Sequence, residues 1–213
     1  MSAVGRFVTL EGIEGVGKST QVAQLSAQLA ARRIAHVLTR EPGGTPLAES
    51  IRGLVLAKRE EAMPATAELL LMFAARAAHL KNHIEPNLQA GRWVICDRFT
   101  DATYAYQGGG RGLDQDQIRR METLVQGSLR PDLTILLDAP VGEALARAAV
   151  RNAGTHADRF ESERSEFFER VRTCYLSRAA SEPGRIAVID ASLPVGEVSL
   201  RILNLLRERS WIS

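Results

Sequence analysis

The run Arg6-Phe7-Val8-Thr9-Leu10-Glu11-Gly12-Ile13-Glu14-Gly15-Val16-Gly17-Lys18-Ser19 decides the fold. Its first six residues read as a buried β-strand that stops at Gly12. From Gly12 to Ser19 the spacing is glycine, four residues, glycine, lysine and a hydroxyl residue. The glycines let the backbone curl so that successive N–H groups face phosphate oxygens, and the following helix adds its positive N-terminal end. That helix is expected from Lys18 onward, where Val22, Leu25 and Leu29 recur at helical spacing. In this pattern Lys18 spans the β- and γ-phosphates and the Ser19 hydroxyl ligates Mg²⁺. A nucleoside triphosphate is therefore expected on Gly12, Ile13, Glu14, Gly15, Val16, Gly17, Lys18, Ser19 and Thr20.

Outward from the loop, short apolar runs alternate with helical patterns. His36-Val37-Leu38-Thr39 reads as a second strand, closed by the loop Arg40-Glu41-Pro42-Gly43-Gly44. Leu47, Ile51, Leu54 and Val55 give a short amphipathic helix. A longer one runs from Pro64 to about Ala90, with Pro64 suited to its first turn. Trp93-Val94-Ile95-Cys96, Leu133-Thr134-Ile135-Leu136-Leu137 and Ile186-Ala187-Val188-Ile189 are three more strands, and Val195, Val198, Ile202 and Leu205 mark a last helix. Five short apolar strands separated by helices predict an α/β fold of the P-loop NTPase type. It is a three-layer sandwich, a five-stranded parallel sheet with helices on both faces, in one domain over 1–213. The stretch from Arg151 to Ala157 lacks apolar periodicity and is the candidate for a mobile excursion.

Composition narrows the class. Of 213 residues, 45% are hydrophobic, which excludes intrinsic disorder. Cys96 and Cys174 alone exclude a disulfide scaffold and read as structural. A formal charge of +2, from 27 basic and 25 acidic residues, gives no global drive toward nucleic acid or a membrane. No apolar run approaches the roughly 18 residues a membrane helix needs, and no signal peptide is read at the start, so a cytoplasmic setting is expected. His36, His79, His83 and His156 show no metal-ligand spacing, and the His79–His83 pair is expected at the surface or against a partner. An Asn-Lys-x-Asp guanine-reading segment is absent, as is a transporter-type signature, which leaves the small phosphotransferases. From the residues alone two other readings stay open: a P-loop ATPase coupled to a protein partner, and a regulatory nucleotide-binding protein whose arginines grip nucleic acid.

The chain resembles bacterial thymidylate kinases over essentially its whole length. The resemblance is carried by Glu11-Gly12-Ile13-Glu14-Gly15-Val16-Gly17-Lys18-Ser19, Thr39-Arg40-Glu41-Pro42-Gly43-Gly44-Thr45 and Asp97-Arg98-Phe99. It continues through Tyr104-Ala105-Tyr106-Gln107-Gly108-Gly109-Gly110-Arg111, Arg130-Pro131-Asp132 and Asp158-Arg159-Phe160-Glu161. It implies a homodimer that transfers a phosphoryl group from ATP–Mg²⁺ to dTMP in dTTP biosynthesis; the alternative is a P-loop ATPase or a nucleoside monophosphate kinase with a different acceptor.

The same resemblance implies roles for single residues. Arg98, just past the third strand, holds the acceptor phosphate, and Asp97 lies near Mg²⁺ or its waters. Glu14 accepts from the sugar 3′-hydroxyl or orients metal-bound water. Arg76 binds the base edge, with Met72 or Phe73 stacking on the base. Thr103 and Gln107 make polar contacts to it, Tyr106 fills the space beside the sugar C2′, and Pro42 and Glu161 complete the dTMP pocket. Adenine is expected near Ala191 and Leu193. The phosphate loop carries no arginine, so a lid at about 147–160 is expected to supply one from Arg147, Arg151 or Arg159, Arg151 first. The catalytic set is then Lys18, Arg98, Arg151, Arg147 and Glu14.

Overall fold

The computed structural model describes residues 5–151, 159–160 and 163–213. Strand β1 (Phe7–Glu11) is buried along its whole length. Side-chain alternation splits it between two apolar layers: Val8 and Leu10 join the larger core cluster and Phe7 the smaller. Strands β2 (His36–Arg40), β3 (Trp93–Asp97), β4 (Leu133–Asp138) and β5 (Ile186–Asp190) complete a parallel sheet in the order β2-β3-β1-β4-β5. β1 is thus central, and the loop that leaves it emerges in the middle of the carboxyl edge. Every strand ends there on a charged residue, Glu11, Arg40, Asp97, Asp138 or Asp190. Ligands bind at this edge in open α/β sheets.

The helices are α1 (Lys18–Ala31), α2 (Pro46–Leu56), α3 (Ala65–His79), α4 (Glu85–Gln89), α5 (Thr100–Thr103), α6 (Gln115–Gln126), α7 (Val141–Arg151), α8 (Ser165–Ser181) and α9 (Val195–Glu208). Thr45 caps α2 by accepting from the Ala48 N–H, and Asp114 caps α6. Among the described residues no helix is long and apolar enough to cross a membrane.

Two features differ from the sequence reading. Pro64 stands at the N-cap of α3 and not within its first turn. The long helix is also interrupted by a π-helical turn at Leu80–Ile84. Pro86, in the first turn of α4, supplies no N–H to the ladder, and the wide turn lies immediately before it. A second π-helical segment, Tyr104–Gly110, follows α5. Its glycines allow close approach by α8: a Cβ on Gly109 would lie 2.7 Å from that of Cys174. Half of the expected lid, residues 152–158, lies outside the described residues; its first part, Arg147 to Arg151, is the last turn of α7.

Candidate active site

The phosphate loop joins β1 to α1 with Gly12, Gly15 and Gly17 all at positive φ. At Gly15 the constraint is also steric, because a Cβ there would collide with the backbone carbonyl of Ala144 on α7. Lys18 folds back, and its Nζ donates to the carbonyls of Gly12 at 3.0 Å and Ile13 at 2.8 Å. Gly12 and Ile13 therefore sit behind the loop as acceptors for the ammonium. Burial, then the neighbouring Arg98 charge, lowers the Lys18 pKa to about 8. An anion arriving at the loop would reverse that cost.

A cavity of about 780 Å³ opens over the loop, lined by Lys18, Ser19, Asp97, Arg98 and Arg151 among others. Oδ1 of Asp97 is buried in the protein and has no hydrogen-bond partner among the described residues. Asp97 and Ser19 thus bring a carboxylate and a hydroxyl to the lining of one cavity, a donor set suited to Mg²⁺, which usually takes one or two protein oxygens and fills the rest with phosphate and water. Among the described residues no three His, Cys, Asp or Glu side chains gather into a metal cage.

Arg98 adopts φ 71, a left-handed conformation rare for a residue with a side chain. From there Nη1 donates to the Gly12 carbonyl at 2.9 Å and Nη2 to Oε1 of Glu14 at 2.8 Å. The guanidinium lies over the Tyr106 ring, 4.8 Å from its centroid. Burial opposes its charge, but Tyr106, Glu14 and Tyr175 more than offset this and raise its pKa. The other Glu14 oxygen, Oε2, accepts from the Tyr106 hydroxyl at 2.7 Å.

Glu14 and Arg98 also line a second cavity of about 470 Å³, with Pro42, Met72, Tyr106, Gln107 and Phe160. Met72 reaches this wall, whereas Phe73 is fully buried in the core with the Arg76 guanidinium 4.8 Å over its ring. The expectation that Phe73 could stack on the base is thereby corrected. Arg76 is itself fully buried, with Nε on Oε2 of Glu41 at 2.7 Å and Nη2 on Oγ1 of Thr103 at 2.8 Å. Thr103 thus turns to Arg76 and away from the cavity wall. Gln107 lines this cavity and Arg76 lies behind its wall, and each keeps a buried polar atom without a partner among the described residues, Oε1 of Gln107 and Nη1 of Arg76. One is a donor and the other an acceptor, a complement to a pyrimidine edge that offers both a carbonyl and an N–H.

On the opposite side of the loop, a third cavity is lined by Val16, Thr20, Arg147, Arg151, Ala191 and Leu193 together with neighbouring residues. Nη1 of Arg147 donates to the Ala191 carbonyl at 2.8 Å. Arg151 lines both this cavity and the one over the loop. Arg159 is placed elsewhere. Its guanidinium pairs with the buried Glu68, its Nε donates to the Val55 carbonyl, and it lies over the Phe160 ring. It therefore leaves the candidate set for a charge on the transferring phosphate. Glu161, expected in the acceptor pocket, lies outside the described residues.

Several residues escaped the sequence reading. Arg52 lines both this second cavity and the one over the loop, and its Nη1 donates to the Pro42 carbonyl at 2.9 Å. His79 is fully buried, not at the surface as expected, with Nδ1 3.0 Å from Glu41 and Nε2 2.6 Å from the Thr39 hydroxyl. Glu68 accepts from Gln107 at 2.6 Å as well as from Arg159. A charged residue on a helix face gives no signal of such a role, because a solvated face has the same pattern.

Comparison with known proteins gives the same answer from three directions. Residues 10–202 match the family model described as thymidylate kinase. The thymidylate kinase of Chromohalobacter salexigens is 58% identical over 97% of this chain and 98% of its own length. That of Pseudomonas savastanoi pv. phaseolicola is 56% identical over 95% of each chain. The crystal structure of thymidylate kinase from Ehrlichia chaffeensis superposes with a TM-score of 0.74 at 33% identity, over 95% of this chain and 98% of that one. With the family model matched over residues 10–202 and relatives more than half identical along nearly their whole length, the chain belongs to the thymidylate kinase family.

Proposed function

We propose that the protein transfers the γ-phosphoryl group of ATP to dTMP, giving dTDP and ADP. The observation that carries this reading is the sharing of Glu14 and Arg98 between the loop cavity and the apolar-walled cavity beside it. A donor phosphate on the loop and an acceptor phosphate in the second cavity would then meet at one guanidinium. The relatives named thymidylate kinase give the acceptor its identity.

In the reaction an oxygen of the dTMP phosphate attacks the γ-phosphorus, the bond from that phosphorus to the ADP oxygen breaks, and ADP leaves. The attacking oxygen is already anionic, so no strong general base is needed. Catalysis rests on alignment and on charge stabilisation. Lys18 exchanges its two loop carbonyls for phosphate oxygens. Arg98 steadies the acceptor phosphate, and Arg151, lining both donor-side cavities, supplies charge to the transferring group; Arg147 holds the nucleotide side. Mg²⁺, held through Ser19 and the Asp97 side, would neutralise charge across the β- and γ-phosphates. The thymine edge meets Arg76 and Gln107, with Met72 on its face. Adenine lies along Ala191 and Leu193.

On this reading the protein acts as a homodimer in the cytoplasm. Leu47 and Leu54, seven residues apart on α2, are 61% and 53% exposed, which supports an apolar stripe available to a second copy. Light scattering after gel filtration checks the dimer. A coupled ADP-release assay over a panel of nucleoside monophosphates checks the reaction. dTMP should be the preferred acceptor, little ATP should be consumed without it, and Lys18→Ala should abolish turnover with the fold intact. Preference for AMP or GMP, or strong acceptor-independent hydrolysis, would overturn the assignment.

A further inference from the structure

Beneath Arg98 lies a carboxylate that the reaction scheme does not use. Glu11, the last residue of β1, is fully buried, a costly place for an acid unless its oxygens are occupied. Both are. Oε1 accepts the backbone N–H of Phe99 at 2.7 Å, and Oε2 accepts the hydroxyl of Tyr175, from α8, also at 2.7 Å. The same Tyr175 hydroxyl lies 3.4 Å from Nη1 of Arg98. The Arg98 N–H in turn donates to the Leu10 carbonyl at 2.9 Å, one residue before Glu11.

These bonds converge on a backbone that would not hold itself. Arg98 stands at φ 71 and Phe99 follows with an extended φ of −152, so the chain turns sharply between β3 and α5. A left-handed conformation at an arginine persists only where its surroundings over-determine it. The bond to Phe99 fixes the far side of that turn, the bond to Leu10 fixes the near side, and Tyr175 braces the guanidinium. Burial, then the Asp101 charge, raises the Glu11 pKa to about 7, against the pull of Tyr175, Arg98 and the Phe99 N–H. A group kept in so adverse a place is consistent with a local structural task.

We propose that Glu11 and Tyr175 are positioning residues for phosphoryl transfer. They touch neither nucleotide and act by holding the strained turn that aims Arg98 at the acceptor phosphate. The proposal rests on the acceptor-phosphate role of Arg98 and deepens it, bringing in one residue on β1 and one on α8 that the scheme otherwise leaves idle.

The test is a double-mutant cycle on kcat, with KM for ATP measured alongside and thermal melting as the check on folding. Glu11→Ala and Tyr175→Phe should each lower kcat, by up to about 100-fold for a displaced catalytic group, with KM for ATP within about threefold of wild type. Glu11→Gln should recover part of the loss, since its amide oxygen still accepts from Phe99. In an Arg98→Lys background, Tyr175→Phe should cost little further, because the group it positions is already gone. Wild-type kcat in folded Glu11→Ala and Tyr175→Phe, or losses that simply multiply in the Arg98→Lys background, would overturn the proposal. If Glu11→Ala does not fold, the Tyr175→Phe cycle decides alone. Wild-type turnover with dTMP in the same assay checks the reaction separately; should another acceptor prove correct, the cycle is read with that one.

Discussion

The hydroxyl of Tyr106 donates to Oε2 of Glu14 at 2.7 Å and so ties the apolar-walled cavity directly to the phosphate loop. The ring below that hydroxyl is T-shaped against Phe160 and Phe167 and carries Arg98 on its face. Ring and hydroxyl therefore have separable tasks. Tyr106→Phe keeps the ring and leaves Glu14 one donor short. A hydrogen bond to a charged group is worth about 1.5–3 kcal/mol, so kcat/KM should fall roughly 10- to 100-fold. Preference for dTMP over the ribonucleotide should survive, whereas Tyr106→Ala should narrow it. Competition assays with dUMP and UMP check this; equal use of both by the wild type would remove the steric role of the ring.

The three arginines around the lid should separate by function. Arg151→Ala should lower kcat steeply, since a transition-state arginine can contribute about 10³–10⁵ in turnover. Arg147→Ala should act mainly on KM for ATP, because its guanidinium is anchored at the Ala191 carbonyl on the donor side. Arg159→Ala should lower the melting temperature before it lowers kcat, as it leaves Glu68 short of one partner in a buried site. Steady-state kinetics and calorimetry on the three variants check the ranking. If Arg159→Ala shows the largest loss in kcat with unchanged stability, its placement against Glu68 is not the working one.

Arg76 should prove a base-site residue with a large structural share. Its ion pair with Glu41 is buried on both sides, and breaking such a pair from one end costs about 3–5 kcal/mol. Arg76→Met removes the charge while keeping most of the volume. dTMP affinity should fall with ATP affinity held, and urea unfolding should show the stability loss. Calorimetric titration with each nucleotide measures the split, and a larger effect on ATP would take Arg76 out of the acceptor site.

Glu11 should leave a signature in the pH dependence of stability. Its folded pKa of about 7 lies above the ordinary value of 4.5, so the native state binds the extra proton between those pH values. The groups facing it include Asp101, Tyr175, Arg98, Lys18, the Cys96 thiol and the Phe99 N–H. Stability from this group is complete below about pH 4.5 and is lost as pH rises through 7. Relative to Glu11→Gln, the wild type should lose up to about 3 kcal/mol between pH 4.5 and 8. Urea denaturation of both proteins at pH 5 and pH 8 measures it. A constant difference would mean that Glu11 titrates as an ordinary glutamate.

The sheet was legible because its strands are continuous apolar runs with both faces covered, and the phosphate loop because its spacing has one mechanical reading. What lay hidden follows physical lines. The Tyr104–Gly110 segment is glycine-rich and tyrosine-bearing, so it shows no 3.6-residue period, and its π-helical form depends on packing against α8. Helix α6 could have been found from Ile118, Met121 and Val125 between the Asp114 cap and Gly127. Met72 and Phe73 are equivalent in composition and spacing; only tertiary packing sends one to the cavity and the other to the core. Glu41, Glu68 and His79 are ordinary polar residues in sequence and acquire roles only when long-range partners converge on them.

Gly15 and Ala144 touch so closely that no side chain fits between the phosphate loop and α7. The loop and the helix bearing Arg147 and Arg151 are thus in direct backbone contact at that point. Transplanting an arginine into position 15 would wedge α7 away from the loop and dislodge the guanidinium groups already beside it. At position 15 of this chain, therefore, backbone contact leaves no room for a loop-borne charge beside the helix-borne ones.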